Sequence, residues 1–118
     1  MSEPASDALI LERLYALIAS RRGADPERSY TARLFAKGTA KIAQKFGEEA
    51  VEAVIAAAGH DHDATVAESA DVLFHLLVLW ADQGVTPPEV WAELRRREGT
   101  SGIDEKKARH DNPTTGTR

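Results

Sequence analysis

Apolar residues recur at intervals of three or four positions through most of this 118-residue chain. This spacing places them on one face of an α-helix. Segments containing glycine and proline separate the periodic stretches. The pattern predicts helices over residues 7–21, from Ser29 or Thr31 with a break at Gly38 into 40–58, over 65–82, and from Pro88 to about Arg97. With no strand-like alternation in the sequence, it predicts an all-α fold, a bundle of four to five helices.

The predicted helix over residues 65–82 is apolar on nearly all sides, and such a helix is normally buried. Its polar groups Glu68, Asp71 and His75 fall in one narrow sector when successive residues are placed about 100° apart. Burying a carboxylate costs free energy unless another group pairs with it. The sequence therefore predicts that a cationic group lies against these polar side chains.

The preceding helix carries a polar stripe in which three lysines are followed by three glutamates. Its members are Lys37, Lys41, Lys45, Glu48, Glu49 and Glu52. One interpretation is an ordinary solvated face. In the other, the glutamates face Glu68 and Asp71, and the repulsion among five acids is relieved by Mg²⁺, which prefers oxygen ligands. Salt bridges with lysine or arginine are the competing explanation.

Three histidines invite a functional interpretation. His75 is either a core residue bonded to one neighbour or a group that orients the Asp71 carboxylate from one turn away. His60 and His62, in the sequence GHDHD, resemble a metal clip but are predicted to be solvated loop residues.

Composition narrows the class of protein. With 42% hydrophobic and 29% charged residues, the chain predicts one domain over 1–110 and a polar, disordered tail over 111–118. A net charge of −4 argues against a nucleic-acid partner, and the lack of cysteine excludes thiolate chemistry. We expect neither a signal peptide nor a membrane span, and hence a cytoplasmic protein. So small a bundle cannot bury helix 65–82 on all sides, which predicts a homodimer.

These acids resemble the signature of a known superfamily. Glu48, Glu49 and Glu52, followed after fifteen residues by Glu68 and Asp71, match the EExxE…ExxD pattern of the all-α nucleoside triphosphate pyrophosphatases, the MazG-like and dimeric dUTPase-like group. Further segments resemble the phosphoribosyl-ATP pyrophosphatase family of histidine biosynthesis. They are SYTARLFAKG (29–38), KIAQKFGEEAVEAVIAA (41–57), ESADVLFHLLVLW (68–80) and REGTSGIDEKKAR (97–109).

The resemblance implies Mg²⁺-dependent hydrolysis of phosphoribosyl-ATP to phosphoribosyl-AMP and pyrophosphate by a homodimeric MazG-like bundle, with water attacking the metal-bound polyphosphate. The implied metal ligands are Glu48, Glu49, Glu52, Glu68 and Asp71. Among Glu48, Glu49 and Glu52, the acid that activates water is left open. Lys45 and Lys41, one and two turns before the acids, are expected to bind phosphates, with Lys37 and Arg33 as weaker candidates.

The sequence is also compatible with two other functions. A housekeeping pyrophosphatase for noncanonical nucleotides would use the same acids. A helical interaction module would carry them merely as salt-bridged surface groups. A di-iron bundle is disfavoured because the chain has no Glu-x-x-His pair, which such sites generally use.

Overall fold

The computed structural model describes residues 7–99, and every regular element in that range is helical. A 3₁₀ turn over Asp7–Leu9 leads into five α-helices. They are α1 (Ile10–Ser20), α2 (Tyr30–Lys37), α3 (Thr39–Ala58), α4 (His62–Gln83) and α5 (Pro87–Arg97). The all-α prediction is confirmed. The predicted tail over 111–118 and most of the segment REGTSGIDEKKAR lie outside the described range.

Local capping chemistry sets the helix boundaries. Ser29 caps α2 by accepting a hydrogen bond from the Ala32 amide at 3.0 Å. Gly38, with φ of 93°, separates α2 from α3, so the predicted break is confirmed. This φ lies in the region that glycine adopts at little cost.

Helix α4 begins at His62, earlier than the predicted Thr65. The carboxylate of Asp61 accepts a hydrogen bond from the Ala64 amide at 3.0 Å and caps the helix there. His62 and Asp63 therefore belong to the first turn of α4 and not to a loop as predicted. The first helix also differs from its prediction, because Asp7 lies in the 3₁₀ turn and α1 itself starts at Ile10, without a side-chain cap.

Helices α3 and α4 form an antiparallel hairpin, and their interface is the most extensive in the described chain. The Thr39 hydroxyl, at the start of α3, donates to Oδ2 of Asp82, near the end of α4, at 2.6 Å. Residues 59–61 connect the other ends of the two helices. This register sets the acidic segment of α3 level with Glu68 and Asp71.

The hydrophobic core lies at the Thr39–Asp82 end of the hairpin, where α1 and α2 pack against it. Its buried members are Ile18, Leu34, Ile42, Leu77, Val78 and Ala81. Arg22 closes this end by donating from Nη1 to the Ala81 carbonyl at 2.8 Å, with its guanidinium 5.2 Å from the Phe35 ring centre. One end of the hairpin is thus anchored by two further helices.

The other half of the hairpin is much less covered. Only four of the 22 residues of α4 are buried within the described chain. Val66 and Leu73 of α4 are exposed, and so are Val51, Val54 and Ile55 of α3. The single chain therefore leaves helix 65–82 partly uncovered, as predicted for so small a bundle.

By length and composition alone, α4 could also cross a membrane, contrary to our expectation of no such segment. Glu68 and Asp71 lie in its middle, however, where an ionised side chain is costly in a bilayer. The packing of α4 against α1 and α3 accounts for the part of its apolar composition that is buried in the described chain.

Contacts along the chain divide it after Pro87 into two compact units, the first holding α1–α4 and the second containing the rest of α5. Within α5, Glu93 accepts hydrogen bonds from Arg96 at 2.7 Å and from Arg97 at 2.9 Å. Those bonds, first from Arg96 and then from Arg97, lower the pKa of Glu93 to about 2. These two arginines therefore pair within their own helix.

Candidate active site

Three carboxylates from the two hairpin helices meet at one point. Glu49 of α3 and Glu68 and Asp71 of α4 each place an oxygen within 4.8 Å of the others. Glu49 is buried, Glu68 is half-buried and Asp71 is exposed. The group therefore runs from the helix interface out to solvent, an arrangement that a small solvated cation can enter.

Glu68 is the least satisfied member of this group. Its Oε1 is shielded from solvent and has no hydrogen-bond partner among the described residues. Partial burial, followed by the carboxylates of Glu52, Asp71 and Glu49, raises the pKa of Glu68. A buried acceptor beside like charges is costly to leave unpaired, so the site favours a cationic partner.

Glu52 lies beside Glu68 but outside the closest group of three. Its side chain is exposed and lines a cleft of about 440 Å³ on the loop side of the acids. The other lining residues are Ile55, Ala56, Gly59, Asp61, Ala64 and Glu68. The acid cluster thus borders an open, largely apolar cleft.

Glu48 takes a different direction and does not join the cluster. Its carboxylate accepts a hydrogen bond from Nε2 of Gln44 at 2.8 Å and lies 3.7 Å from Nζ of Lys45. The Gln44 bond, and then Lys45 and Lys41, lower the pKa of Glu48 against the opposing effect of desolvation. The salt-bridge explanation therefore holds for Glu48.

Lys45, which pairs with Glu48, also contacts a member of the acid cluster. It therefore bears on both the salt-bridge explanation and the metal-site explanation. Its Nζ lies 3.5 Å from Oε2 of Glu49, one turn further along α3. Tyr30, and then Glu49 and Glu48, raise the pKa of Lys45, while burial acts in the opposite sense. Within residues 7–99, no lysine or arginine forms an ion pair with Glu68 or Asp71. Salt bridges thus account for only part of the acid set.

The remaining predicted phosphate ligands lie further from the cluster. Lys41 is half-buried one turn before Lys45. Lys37 and Arg33 are exposed on α2, and Nε of Arg33 donates to the Pro26 carbonyl at 3.2 Å. Lys45, with Lys41 behind it, is therefore the cation best placed to meet a polyphosphate at the acids.

His75 is buried and makes two polar contacts, neither of them to a carboxylate. Its Nδ1 lies 2.8 Å from the backbone carbonyl of Asp71, and its Nε2 lies 3.2 Å from the Tyr30 hydroxyl. The expected contact with the Asp71 side chain is not found in the described structure. A histidine one turn after residue 71 reaches that backbone carbonyl more readily than a carboxylate that points to solvent.

Tyr30 was not singled out by the sequence analysis, although it belongs to the segment SYTARL. It is the first residue of α2, and its position beside His75 depends on how α2 crosses α4. Pairing across helices of this kind leaves no periodic signal in the sequence.

The GHDHD segment behaves as predicted for a solvated region. His60 and His62 are exposed, and Nδ1 of His62 contacts only its neighbour Asp63, at 3.2 Å. The group of Glu49, Glu68 and Asp71 is the one candidate metal cluster in the described part of the chain.

Comparison with known proteins connects this geometry with an activity. The phosphoribosyl-ATP pyrophosphohydrolase family model matches residues 11–98, which include all five acids. The chain is 69% identical to the phosphoribosyl-ATP pyrophosphatase of Paramagnetospirillum magneticum, over 89% of this chain and 96% of the relative. Identity is 62% to the Azospirillum brasilense enzyme, over 92% and 98% of the two chains, and 66% to that of Rhodospirillum rubrum, over 85% and 86%.

We predict that Glu68→Gln raises the melting temperature of the metal-free protein at pH 7. Because the pKa of Glu68 is raised in the folded state, the unfolded chain releases this proton first, and stability falls as pH rises above the ordinary glutamate pKa. Glutamine removes that fall, so the gain should shrink towards pH 4. Melts in EDTA at both pH values test this, with Glu27→Gln in the loop over residues 21–29 as control. A variant that melts at or below the wild-type temperature at pH 7 contradicts it.

Proposed function

This chain belongs to the phosphoribosyl-ATP pyrophosphohydrolase family, and on that premise we propose that it hydrolyses phosphoribosyl-ATP to phosphoribosyl-AMP and pyrophosphate. This reaction belongs to histidine biosynthesis. The substrate is a small molecule, and we assign the reaction to the cytoplasm. Neither a nucleic acid nor a membrane is required.

One observation carries the proposal at the level of chemistry. The three converging carboxylates of Glu49, Glu68 and Asp71 lie inside the segment that matches the family. A purely structural hairpin gains nothing from bringing three acids together at a helix interface, because their repulsion destabilises it. Binding of a divalent cation and polyphosphate would relieve this repulsion and so explains why the three carboxylates converge.

The donor set suits Mg²⁺. Glu49, Glu68 and Asp71 offer hard oxygen ligands, the shielded Oε1 of Glu68 lacks a partner within the described chain, and Asp71 opens to solvent, which leaves room for retained water. Glu52 flanks the group, and Glu48, although next to Glu49 in the sequence, has its carboxylate held by Gln44. A bound Mg²⁺ would neutralise charge on the phosphate oxygens and so favour attack on phosphorus.

The chain's own residues then have separate tasks. Formation of phosphoribosyl-AMP and pyrophosphate requires water to attack phosphorus and break the anhydride bond between the α- and β-phosphates. We assign the proton of that water to Glu52, whose carboxylate borders both the cluster and the cleft and lies outside the closest group of three. Lys45, 3.5 Å from Glu49, faces the phosphates and offsets their charge.

The activity is tested by incubating the purified protein with phosphoribosyl-ATP and measuring pyrophosphate. We expect one pyrophosphate per substrate in the presence of Mg²⁺ and none in EDTA. A panel of canonical and noncanonical nucleoside triphosphates provides the comparison. Faster release from that panel than from phosphoribosyl-ATP would instead identify a housekeeping pyrophosphatase.

For the metal site we predict that Asp71→Asn folds normally but loses both pyrophosphate release and the Mg²⁺-dependent rise in melting temperature. Asparagine keeps the size of the side chain and removes the charge that a cation requires. Since no lysine or arginine in the described chain pairs with Asp71, no cation is left stranded. Asp63→Asn, at the exposed start of α4, serves as control. An Asp71→Asn protein that keeps the Mg²⁺ shift and the wild-type rate refutes this assignment.

We further propose that the protein is a homodimer. Val51, Val54 and Ile55 form one exposed apolar stripe on α3, with exposures of 57%, 65% and 64%. The hairpin register sets Val66 of α4, also exposed, level with Ile55. A contiguous apolar surface of this kind typically marks an interface. A second copy of the chain presents the same surface, so a two-fold interface would cover both copies at once.

Light scattering tests the dimer. We expect a mass of twice the 12.8 kDa chain at micromolar concentration. Val54→Glu should shift the mass towards the monomer because it places a charge in the apolar stripe. Leu17→Glu, at a comparably exposed apolar position on α1, is the matched control and should leave the dimer intact. A wild-type mass equal to that of one chain would contradict the proposed dimer.

A further inference from the structure

The cleft of about 440 Å³ beside the acid cluster is lined by small apolar residues and by acids. Ala56, Gly59 and Ala64 leave its floor free of bulky side chains. The charged residues among its described lining are Glu52, Asp61 and Glu68, and none of that lining is basic. A cavity of this volume lies in the range of small-molecule sites. The cleft is therefore large enough for a purine ring, but its charge disfavours a phosphate.

The lysines near the cluster lie on the opposite side of it. In α3, Lys45 precedes Glu49 by one turn, whereas Glu52 and Ala56 of the cleft follow Glu49. At 1.5 Å per residue, Lys45 and Ala56 are about 16 Å apart along the helix axis. A polyphosphate held at the acids would therefore extend towards Lys45, with Lys41 behind it. Its nucleoside end would then extend towards the cleft.

The base of phosphoribosyl-ATP differs from that of ATP in charge. The second ribose is attached to nitrogen N1 of the adenine ring. Substitution at N1 makes adenine a much stronger base, so that the ring can carry a positive charge near neutral pH, whereas the adenine of ATP is neutral there. A cleft that contains carboxylates and no described basic residue suits such a cationic ring.

We propose that this cleft binds the N1-substituted adenine of the substrate in its cationic form, and that Asp61 determines specificity for this base over the adenine of ATP. The inference rests on the hydrolysis of phosphoribosyl-ATP proposed above. With Glu68 assigned to the metal and Glu52 to the attacking water, Asp61 is the lining acid without another task in the reaction. No lysine or arginine of residues 7–99 forms an ion pair with it. Asp61 and Gly59 are exposed, which leaves the phosphoribosyl group a path to solvent.

Nucleoside monophosphates test the charge of the preferred base, because they keep the base and the α-phosphate but have no anhydride bond to hydrolyse. In 1-methyl-AMP the base carries both the substituent and the charge, in N6-methyl-AMP it carries a methyl group without the charge, and AMP has neither. Calorimetric titration in Mg²⁺ at pH 7 should give 1-methyl-AMP a dissociation constant about fivefold below those of the other two, as expected for a solvent-screened charge pair. Equal affinities, or no binding of any of the three, would overturn the proposal.

The role of Asp61 is tested with Asp61→Asn. Asparagine caps helices about as well as aspartate, so α4 should keep its start and the protein its melting temperature. The preference for 1-methyl-AMP over AMP should fall to less than about twofold, while the affinity for AMP itself should not change. Asp63→Asn is the matched control, since Asp63 lies two residues later in the exposed first turn of α4 and outside the described lining of the cleft. An Asp61→Asn protein with the full wild-type preference contradicts the assignment.

The position of the base is tested with Ala56→Leu. Leucine is nearly as good a helix former as alanine, and its added atoms would occupy the cleft from a half-buried position. Affinity for AMP and 1-methyl-AMP should fall at least about 10-fold, because the larger side chain excludes the ring. Affinity for inorganic pyrophosphate should be unchanged, because the phosphates lie towards Lys45. Ala57→Leu, at the exposed next position, is the control. Unchanged AMP binding in Ala56→Leu would contradict a base in the cleft.

These titrations require no turnover, so their outcome is separate from that of the proposed function. A protein that releases pyrophosphate from phosphoribosyl-ATP but binds the three monophosphates equally would retain the proposed function and refute this inference. A protein that prefers 1-methyl-AMP through Asp61 but releases no pyrophosphate would support the assignment of the cleft and refute the proposed hydrolysis.

Discussion

Packing of α3 against α4 is the interaction on which the rest of this structure depends. The antiparallel register, fixed by the short loop over residues 59–61 and by the bond from Thr39 to Asp82, places Glu49 beside Glu68 and Asp71. A shift of one helical turn, about 5.4 Å, would separate these carboxylates. The hairpin therefore holds together a site that its own electrostatics would drive apart.

The hydrophobic core and the acid cluster lie in different parts of the hairpin, so that burial in one part offsets the repulsion in the other. Ile42, Leu77 and Val78 form the core with α1 and α2 near the Thr39 end. The acids lie near the middle, and the loop half carries the exposed apolar stripe of α3. Hydrophobic burial at one end thus offsets repulsion further along the same two helices. The loop half would gain its own burial from a second copy of the chain.

The sequence alone predicted the helices and the meeting of the acids, but not which carboxylates converge. Gly38 was sufficient to predict the break between α2 and α3, and the apolar periodicity of α3 was sufficient to predict that helix. The early start of α4 depended on which acid of GHDHD caps the helix, and Asp61 adopts that role through its own backbone geometry.

Glu48 and Glu49 are consecutive and so point about 100° apart. Only the packing of α4 determines that Glu49 faces inward. Likewise, Tyr30 meets His75 through the crossing of α2 over α4, which no spacing within one helix encodes.

Salt bridge and metal site, which the sequence presents as competing explanations, have a physical reason to coexist. Lys45 contacts Glu49 and Glu48 and has no ion pair with Glu68 or Asp71 in the described chain. One lysine can offset part of the repulsion in the cluster and still leave an uncompensated negative site, which a divalent cation needs. A second lysine against Asp71 would compensate that site and weaken cation binding. On the proposed function, the asymmetry between a paired Glu49 and an unpaired Asp71 would allow the same acids to remain folded without a metal and to attract one together with polyphosphate.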